Sequence, residues 1–170
     1  MPKDIMKEVK DTIAKRMKSC ESRVKFNKPL LFSALIAYEI DKVVVEFDGS
    51  GDSGQIDNIA FYRGKGANVT NVSEDTKIGE SIVTGALVNE STTWDDKKNE
   101  WVRHTKTPTI NELLEHICYD LLEAHHGGWE INSGSCGNFE FNVRRTPKES
   151  SIALQYNERV ESVEEYNEVY

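Results

Sequence analysis

One long amphipathic helix followed by a double glycine most constrains how this chain can fold. Thr109 and Glu112 have the spacing of a capping box, in which each side chain accepts a hydrogen bond from a free amide of the first turn. The apolar residues that follow recur at the three-and-four spacing of one helix face: Ile110, Leu113, Leu114, Ile117, Leu121 and Leu122. Gly127 and Gly128 favour a helix end. The sequence therefore predicts a core helix that stops just before a polar loop.

The N-terminal part of the chain predicts two further helices. Residues 1–28 form a basic segment, and an apolar stripe within residues 4–21 predicts an amphipathic helix; the stripe is Ile5, Val9, Ile13, Met17 and Cys20. Pro29 suits the first position of a second helix, and residues 30–40 are apolar nearly all round. We expect the first helix to pack on the core, on a partner or on a second copy, and the second to be buried.

Four segments alternate apolar and polar residues as half-buried strands do. They are residues 42–47, 55–62, 139–143 and 152–156. Asp57 and Asn58 break the alternation of the second segment, which indicates a bulge. These segments predict an α+β fold, in which an antiparallel sheet of about four main strands packs against the long helix.

Residues 63–106 separate the first two strands from the long helix and predict an inserted loop and hairpin. The hairpin would carry Trp94 and Trp101 on its two sides and form a β arm projecting from the sheet. Its aromatic pair would either hold the hairpin together or contact a partner. Residues 160–170 predict an acidic, solvated tail. We expect residues 1–170 to form a single domain.

The charge of the chain limits its partners. The net charge of the chain is −8: residues 1–28 carry a net charge of +5, and the remaining residues carry −13. This balance argues against direct nucleic-acid binding through a broad basic face, but it permits a DNA mimic. No apolar run has the length of a membrane span, and three cysteines at unrelated spacings favour reduced thiols. A cytoplasmic protein is therefore expected.

The first candidate site is a glycine-rich turn that follows the first strand. It carries the oxygen-bearing residues Asp48, Ser50, Asp52 and Ser53, which are of the type that magnesium or calcium prefers. The match to a calcium loop is partial, because Ser53 stands where that loop needs glycine. An ordinary tight turn is the alternative.

The second candidate site follows the long helix. Only one of its two adjacent histidines can face a site, because neighbouring helix residues point about 100° apart. His126 is the candidate acid or base, while Trp129 is more typical of a core cover than of a ligand platform. The other polar candidates of this loop are Glu130, Asn132, Ser133, Ser135 and Cys136.

The last strand ends in a third polar group. Asn157, Glu158 and Arg159 would lie near either glycine loop in an antiparallel sheet. We therefore hypothesise that all three groups converge at one rim of the sheet, with Asp48, Asp52 and Glu130 as candidate metal ligands.

The segments VEFDGSGDSGQID, HHGGWEINSGSCGNFEFNV and IALQYNERV resemble an uncharacterised family of small bacterial and phage proteins. The resemblance covers roughly residues 40–62 and 109–160. It implies a prokaryotic or phage setting and no specific activity. The residues to which it gives weight are Asp48, Ser50, Asp52, Ser53, Gln55, His126, Gly128, Trp129, Glu130, Asn132, Asn157 and Arg159.

Three functions compete on this reading. The first is a small acidic binding protein, a phage or mobile-element modulator that engages a host protein through its arm or its acidic surface. The second is a metal-dependent hydrolase of a phosphate-bearing substrate, with a divalent cation held by the three carboxylates and His126 as acid or base. The third is an inhibitor that mimics DNA. We expect a protein partner and no membrane contact. The basic first helix would also allow two copies of the chain to form a homodimer.

Overall fold

Two long helices lie against one face of an antiparallel sheet in the computed structural model, which describes residues 3–160. The helices are α1 (Lys3–Ala37), the short α2 (Thr76–Gly79) and α3 (Ile110–His125). The strands are β1 (Lys42–Ser50), β2 (Ser53–Arg63), β3 (Thr70–Asn71), β4 (Val88–Asp95), β5 (Glu100–Lys106), β6 (Ser135–Asn142) and β7 (Ser151–Glu158). The main sheet has the order β3-β2-β1-β6-β7, and β4 and β5 form a separate two-stranded sheet. The predicted mixture of α and antiparallel β structure is confirmed.

The predicted bulge lies in the β1–β2 hairpin. Glu46 pairs with Asn58 and Phe47 pairs with Ile56, so Asp57 is the extra residue. An extra residue restores the alternation of apolar side chains toward the core on both sides of the break.

The core lies between the sheet and the two long helices. Strands β1 and β6 contribute their alternate residues, and Phe32 of α1 packs on Phe141 of β6 with ring centroids 6.3 Å apart. The predicted apolar face of α3 is buried except for Leu121, which is only half-buried, and Cys118 and Ala124 are buried in addition. The capping box at Thr109 and Glu112 forms as predicted, with both reciprocal hydrogen bonds present.

The N-terminal region is one helix of 35 residues, so the prediction of two helices is wrong. Asn27 lies inside this helix, where it is 3% exposed and its side-chain amide hydrogen-bonds both backbone groups of Leu87. Pro29 lies inside the helix, where it removes the hydrogen bond to the carbonyl of Lys25. Lys25 and Pro29 are both exposed, so water can donate a hydrogen bond to that carbonyl and the helix continues.

The segment between β2 and α3 divides into a packed part and an arm. Ile78, Val83 and Ala86 are buried in the core, and β3 adds a short edge strand, so residues 63–87 do not project as predicted. Between α2 and β4, Ile82 makes an isolated antiparallel bridge to Thr109. The projecting arm is the β4–β5 hairpin alone.

Two expectations concern the ends of the chain. Residues 161–170 of the predicted acidic tail lie outside the described residues. No helix within residues 3–160 combines the length and the apolar content that crossing a membrane requires.

Candidate functional site

The two glycine-rich segments meet at one end of the sheet, as the convergence hypothesis predicted. The amide of Gly51 donates to the carbonyl of Asn132 (2.9 Å), and the amide of Asp52 donates to the carbonyl of Glu130 (3.1 Å). Gly51 and Asp52 both have positive φ (59° and 68°), so the turn between β1 and β2 is a tight two-residue hairpin. We call residues 47–56, 129–136 and 157–159 the glycine junction.

Trp129 is the centre of the glycine junction. It is 7% exposed and meets Phe47 edge to face, with ring centroids 5.6 Å apart. Its indole lies on Gly49 and Gly54, because a Cβ at Gly49 would be 2.8 Å from Trp129 Cε3 and a Cβ at Gly54 would overlap the ring. Buried Ser135 donates its hydroxyl to the Trp129 carbonyl (2.8 Å). Gly49 and Gly54 therefore provide the space in which the Trp129 indole packs.

Arg159 fastens the last strand to the junction. Its guanidinium donates to both carboxylate oxygens of Asp48 and to the carbonyl of Gly49 (3.0 Å). Its amide donates to the carbonyl of Gly134 (3.0 Å). The hydrogen bond from Arg159 lowers the pKa of Asp48 below its ordinary value. The two side chains are 38% and 40% exposed, so water screens the pair and limits its contribution to stability.

Asp48 belongs to a row of polar residues on the sheet face that points away from the helices. It pairs with Gln55 on β2 and with Cys136 on β6, and Cys136 pairs with Asn157 on β7. Residues directly opposite in an antiparallel sheet share a face. Ser50 and Ser53 pair at the exposed end of the hairpin.

A groove of about 760 Å³ lies on the other side, between the junction, α1, α3 and the arm. Its charged lining residues are Lys15, Arg16, Arg23, Asp52, Asp120, Glu123 and Glu130. Arg23 pairs with Asp120, and Arg16 pairs with Glu123 (2.9 Å). One carboxylate oxygen of Glu130, Oε2, is buried and has no hydrogen-bond partner.

The sheet separates the three carboxylates that were predicted to bind a metal. Asp48 faces the open side and is held by Arg159, whereas Asp52 and Glu130 line the groove. Within residues 3–160, no group of three or more His, Cys, Asp or Glu side chains is placed to hold a metal ion. The predicted ligand set is therefore not assembled, because alternation along β1 points Asp48 away from the helices.

His126 caps the C-terminus of α3 and stacks on Tyr156, with ring centroids 3.9 Å apart and planes inclined by 16°. Burial, and after it the neighbouring His125, lowers the pKa of His126. His126 borders a small cavity with Leu154 and does not line the groove. His126 therefore lies apart from Asp52 and Glu130, so its predicted role as acid or base beside those metal ligands has no geometric support.

The arm presents Trp94 and Trp101 opposite each other, with ring centroids 5.4 Å apart. They are 44% and 66% exposed. A bulge at Glu90 places Asn89 and Thr92 on the same face of the arm as the tryptophans, and both line the groove. The tryptophan face of the arm therefore continues from the groove wall.

Sequence reasoning missed the contribution of the two helices to this site. Arg23 and Asp120 lie 97 positions apart, and Tyr119 both accepts a hydrogen bond from the Ile56 amide (3.1 Å) and packs on Trp129. The basic character of residues 1–28 was the only sequence feature that indicated a contribution of α1 to the lining of the groove.

Comparison with known proteins matches residues 24–170 to the model of a family of unknown function (DUF6878). Searches of curated proteins and of solved structures found no match. The match begins at Val24, so the exposed first half of α1 lies outside it.

Proposed function

Because this chain belongs to DUF6878, a family of unknown function, no activity follows from its relationship, and we propose from its geometry that it is a protein-binding protein. The arm is the contact that we assign. The partner is a host protein, in the bacterial or phage setting that the motifs imply, and the bound chain acts as a modulator of that protein.

The exposed tryptophan pair carries this proposal. Tryptophan is enriched among residues that contribute most to binding, because a large rigid surface is buried at a small cost in conformational entropy. The pair stands on a two-stranded sheet that shares no hydrogen-bonded strand with the main sheet. A partner surface with an apolar pocket would bury both indoles without rearranging the core.

The competing functions have weaker geometric support. The hydrolase needs converging metal ligands, but the sheet divides Asp48 from Asp52 and Glu130. Mimicry of DNA stays a prediction from net charge, since no contact within the described residues bears on it.

The test compares two double variants of the arm. Trp94→Ala with Trp101→Ala removes the exposed pair, while Thr93→Ala with Val102→Ala truncates the opposite face of the same two strands. The unmodified chain is used to capture partners from a bacterial host, and the captured protein is purified for direct measurement of the Kd. We expect the tryptophan variant to raise that Kd by at least about thirtyfold, or about 2 kcal/mol, and the control to change it little.

Equal binding by both variants would show that the arm is not the contact. Failure of the unmodified chain to retain any protein under any condition would remove the proposed function altogether.

A further inference from the structure

One edge of the main sheet has backbone groups with no neighbouring strand. β7 is the last strand in the order β3-β2-β1-β6-β7, so within residues 3–160 only β6 pairs with it. The amide of Arg159 donates to the carbonyl of Gly134, which shows that the odd-numbered residues of β7 direct their backbone groups to β6. The amides and carbonyls of Ile152, Leu154 and Tyr156 therefore point outward.

The opposite edge of the same sheet is protected. β2 carries a bulge at Asp57, and its Ile56 amide donates to the Tyr119 hydroxyl (3.1 Å). Its Phe61 amide donates to the Ser73 hydroxyl (2.9 Å), and β3 covers the end of the strand. Bulges, covering segments and charged side chains are the usual means by which proteins prevent a sheet edge from pairing with another chain. This fold therefore closes one edge of its sheet to other strands.

β7 has none of these protective features. Residues 151–157 contain no charged residue and no proline, and β7 pairs with β6 in one continuous register without a bulge. The side chains that β7 places on the sheet face away from the helices are exposed and neutral: Ser151, Ala153, Gln155 and Asn157. A regular, uncharged edge strand favours pairing with a further strand.

The helix-facing side of β7 is incompletely covered. Ile152, Leu154 and Tyr156 pack against the core, yet each is only half-buried. A cavity of about 260 Å³ lies beside Ile152 and Leu154, and Leu121 and Phe139 contribute to its apolar lining. A strand laid along β7 would bury this row if it carried apolar side chains at alternate positions. β7 itself has that pattern.

We propose that the edge of β7 is occupied by β7 of a second copy of this chain, antiparallel about a twofold axis near Leu154. Ile152 of each copy then lies opposite Tyr156 of the other, and the backbones of the two strands form about six hydrogen bonds. On the face away from the helices, Ala153 lies opposite Gln155, so no like charges meet. The axis closes the assembly at two copies, because it uses the unprotected edge of each main sheet. This inference goes beyond the proposed function, since it does not involve the tryptophans of the arm.

Charge at the two ends of β7 supports the antiparallel arrangement. The loop of residues 144–150 that leads into β7 exposes three basic residues, Arg144, Arg145 and Lys148, against one acidic residue, Glu149. Within the described part of the chain, none of the three basic residues forms an ion pair, and neither does Glu158 at the other end of the strand. Antiparallel pairing brings the basic loop of each copy to the level of Glu158 of the other. Parallel pairing would bring the two basic loops together.

The decisive experiment measures mass in solution by light scattering and sedimentation over a wide concentration range. We expect the unmodified chain to be a dimer. Ala153→Lys with Gln155→Lys should be a monomer over the same range, because it places lysines opposite each other across the axis. Gln55→Lys with Asn58→Lys is the matched control, since it adds the same charge to the same face at the opposite edge and should leave the dimer intact. Circular dichroism should show both variants folded, because all four side chains are exposed.

An unmodified chain that is monomeric at all concentrations would overturn the proposal, and so would a dimer that survives the paired lysines of β7. Amide exchange provides an independent measurement. Protection of the amides of Ile152, Leu154 and Tyr156 should rise with protein concentration as the dimer forms. Protection that is the same in a monomer would mean that another part of the same chain covers the edge, which would also overturn the proposal.

A further variant tests the contact between the basic loop and the end of β7. Glu158→Lys should raise the dimer Kd by about two- to fivefold, since it replaces an attraction between exposed charges with a repulsion. Asp96→Lys in the exposed arm turn makes the same change of charge and should leave the Kd unchanged. Equal Kd values for the two variants would overturn the antiparallel arrangement. Trp94→Ala with Trp101→Ala should leave the dimer unaffected, so failure of the arm proposal and failure of the dimer proposal are distinguishable.

Discussion

Trp129 of the glycine junction and Trp94 and Trp101 of the arm are the same residue type in opposite situations. Trp129 is 7% exposed and lies on two glycines, while the arm pair is 44% and 66% exposed and contacts mainly itself. All three tryptophans were candidates for a binding surface. The difference shows that Trp129 serves packing, because two glycines receive its ring, whereas the arm pair stays accessible to solvent.

The junction also explains most of the motif residues on which the resemblance rests. Gly49, Gly54 and Gly134 allow close packing, because a Cβ at Gly134 would overlap the carbonyl of Gly49. Arg159 joins Asp48 to the last strand. These residues hold three distant segments together, which leaves the side chains of Asp52 and Glu130 as the polar groups of the junction directed to the groove.

Replacing Trp129 with alanine should have the largest effect on the stability of the protein. It would leave a cavity between Phe47, Tyr119 and the two glycines, and should lower the free energy of unfolding by about 3–5 kcal/mol. Denaturant unfolding monitored by circular dichroism measures this loss. A loss below about 1 kcal/mol would show that the junction is not the organising contact of this end of the sheet.

Adding one methyl group under Trp129 should have the next largest effect. Gly54→Ala places a Cβ where the indole lies, so we expect a loss of about 1–3 kcal/mol from overpacking. Gly127→Ala is the control, because a Cβ there would meet only the Glu123 carbonyl at an ordinary 3.6 Å. Equal unfolding free energies for the two variants would contradict the packing of Trp129 on Gly54.

The Asp48–Arg159 pair should give a smaller effect that depends on pH. Since Arg159 lowers the pKa of Asp48, folding favours the ionised carboxylate. The stabilisation is therefore present above the ordinary carboxyl pKa of about 4 and is lost as the pH falls through the lowered value. Melting temperatures of the full chain and Asp48→Asn should differ at neutral pH and converge in acid. Asp96→Asn in the exposed arm turn controls for the lost charge, and a difference that persists unchanged at low pH would contradict the pairing.

Removing the arm tryptophans should have the smallest effect on the body of the protein. Trp94→Ala with Trp101→Ala should change its free energy of unfolding by no more than about 0.5 kcal/mol, because neither ring packs on the core. Amide exchange across residues 88–106 should rise, since an aromatic pair holds the hairpin. A large loss of global stability would contradict the conclusion that the arm tryptophans, unlike Trp129, do not stabilise the body of the protein.

Much of the local structure could be predicted because its causes are local. The capping box of α3, the bulge at Asp57 and the strand alternation depend on residues a few positions apart. The prediction failed at Pro29 because a contact that holds α1 in place there is distant in sequence: Asn27, inside the helix, hydrogen-bonds the backbone of Leu87.

The sequence by itself determined the periodicities, the helix start at Thr109 and the glycines that let the turns close, since these follow from the backbone and from side chains within one or two turns of each other. Only the tertiary structure decided that Asp48 and Glu130 lie on different faces of one junction. It also decided that α1 extends beyond the end of α3, so that the apolar face of its first half is exposed. Both results depend on register and on relative helix length, which are set by contacts between segments some eighty to one hundred residues apart.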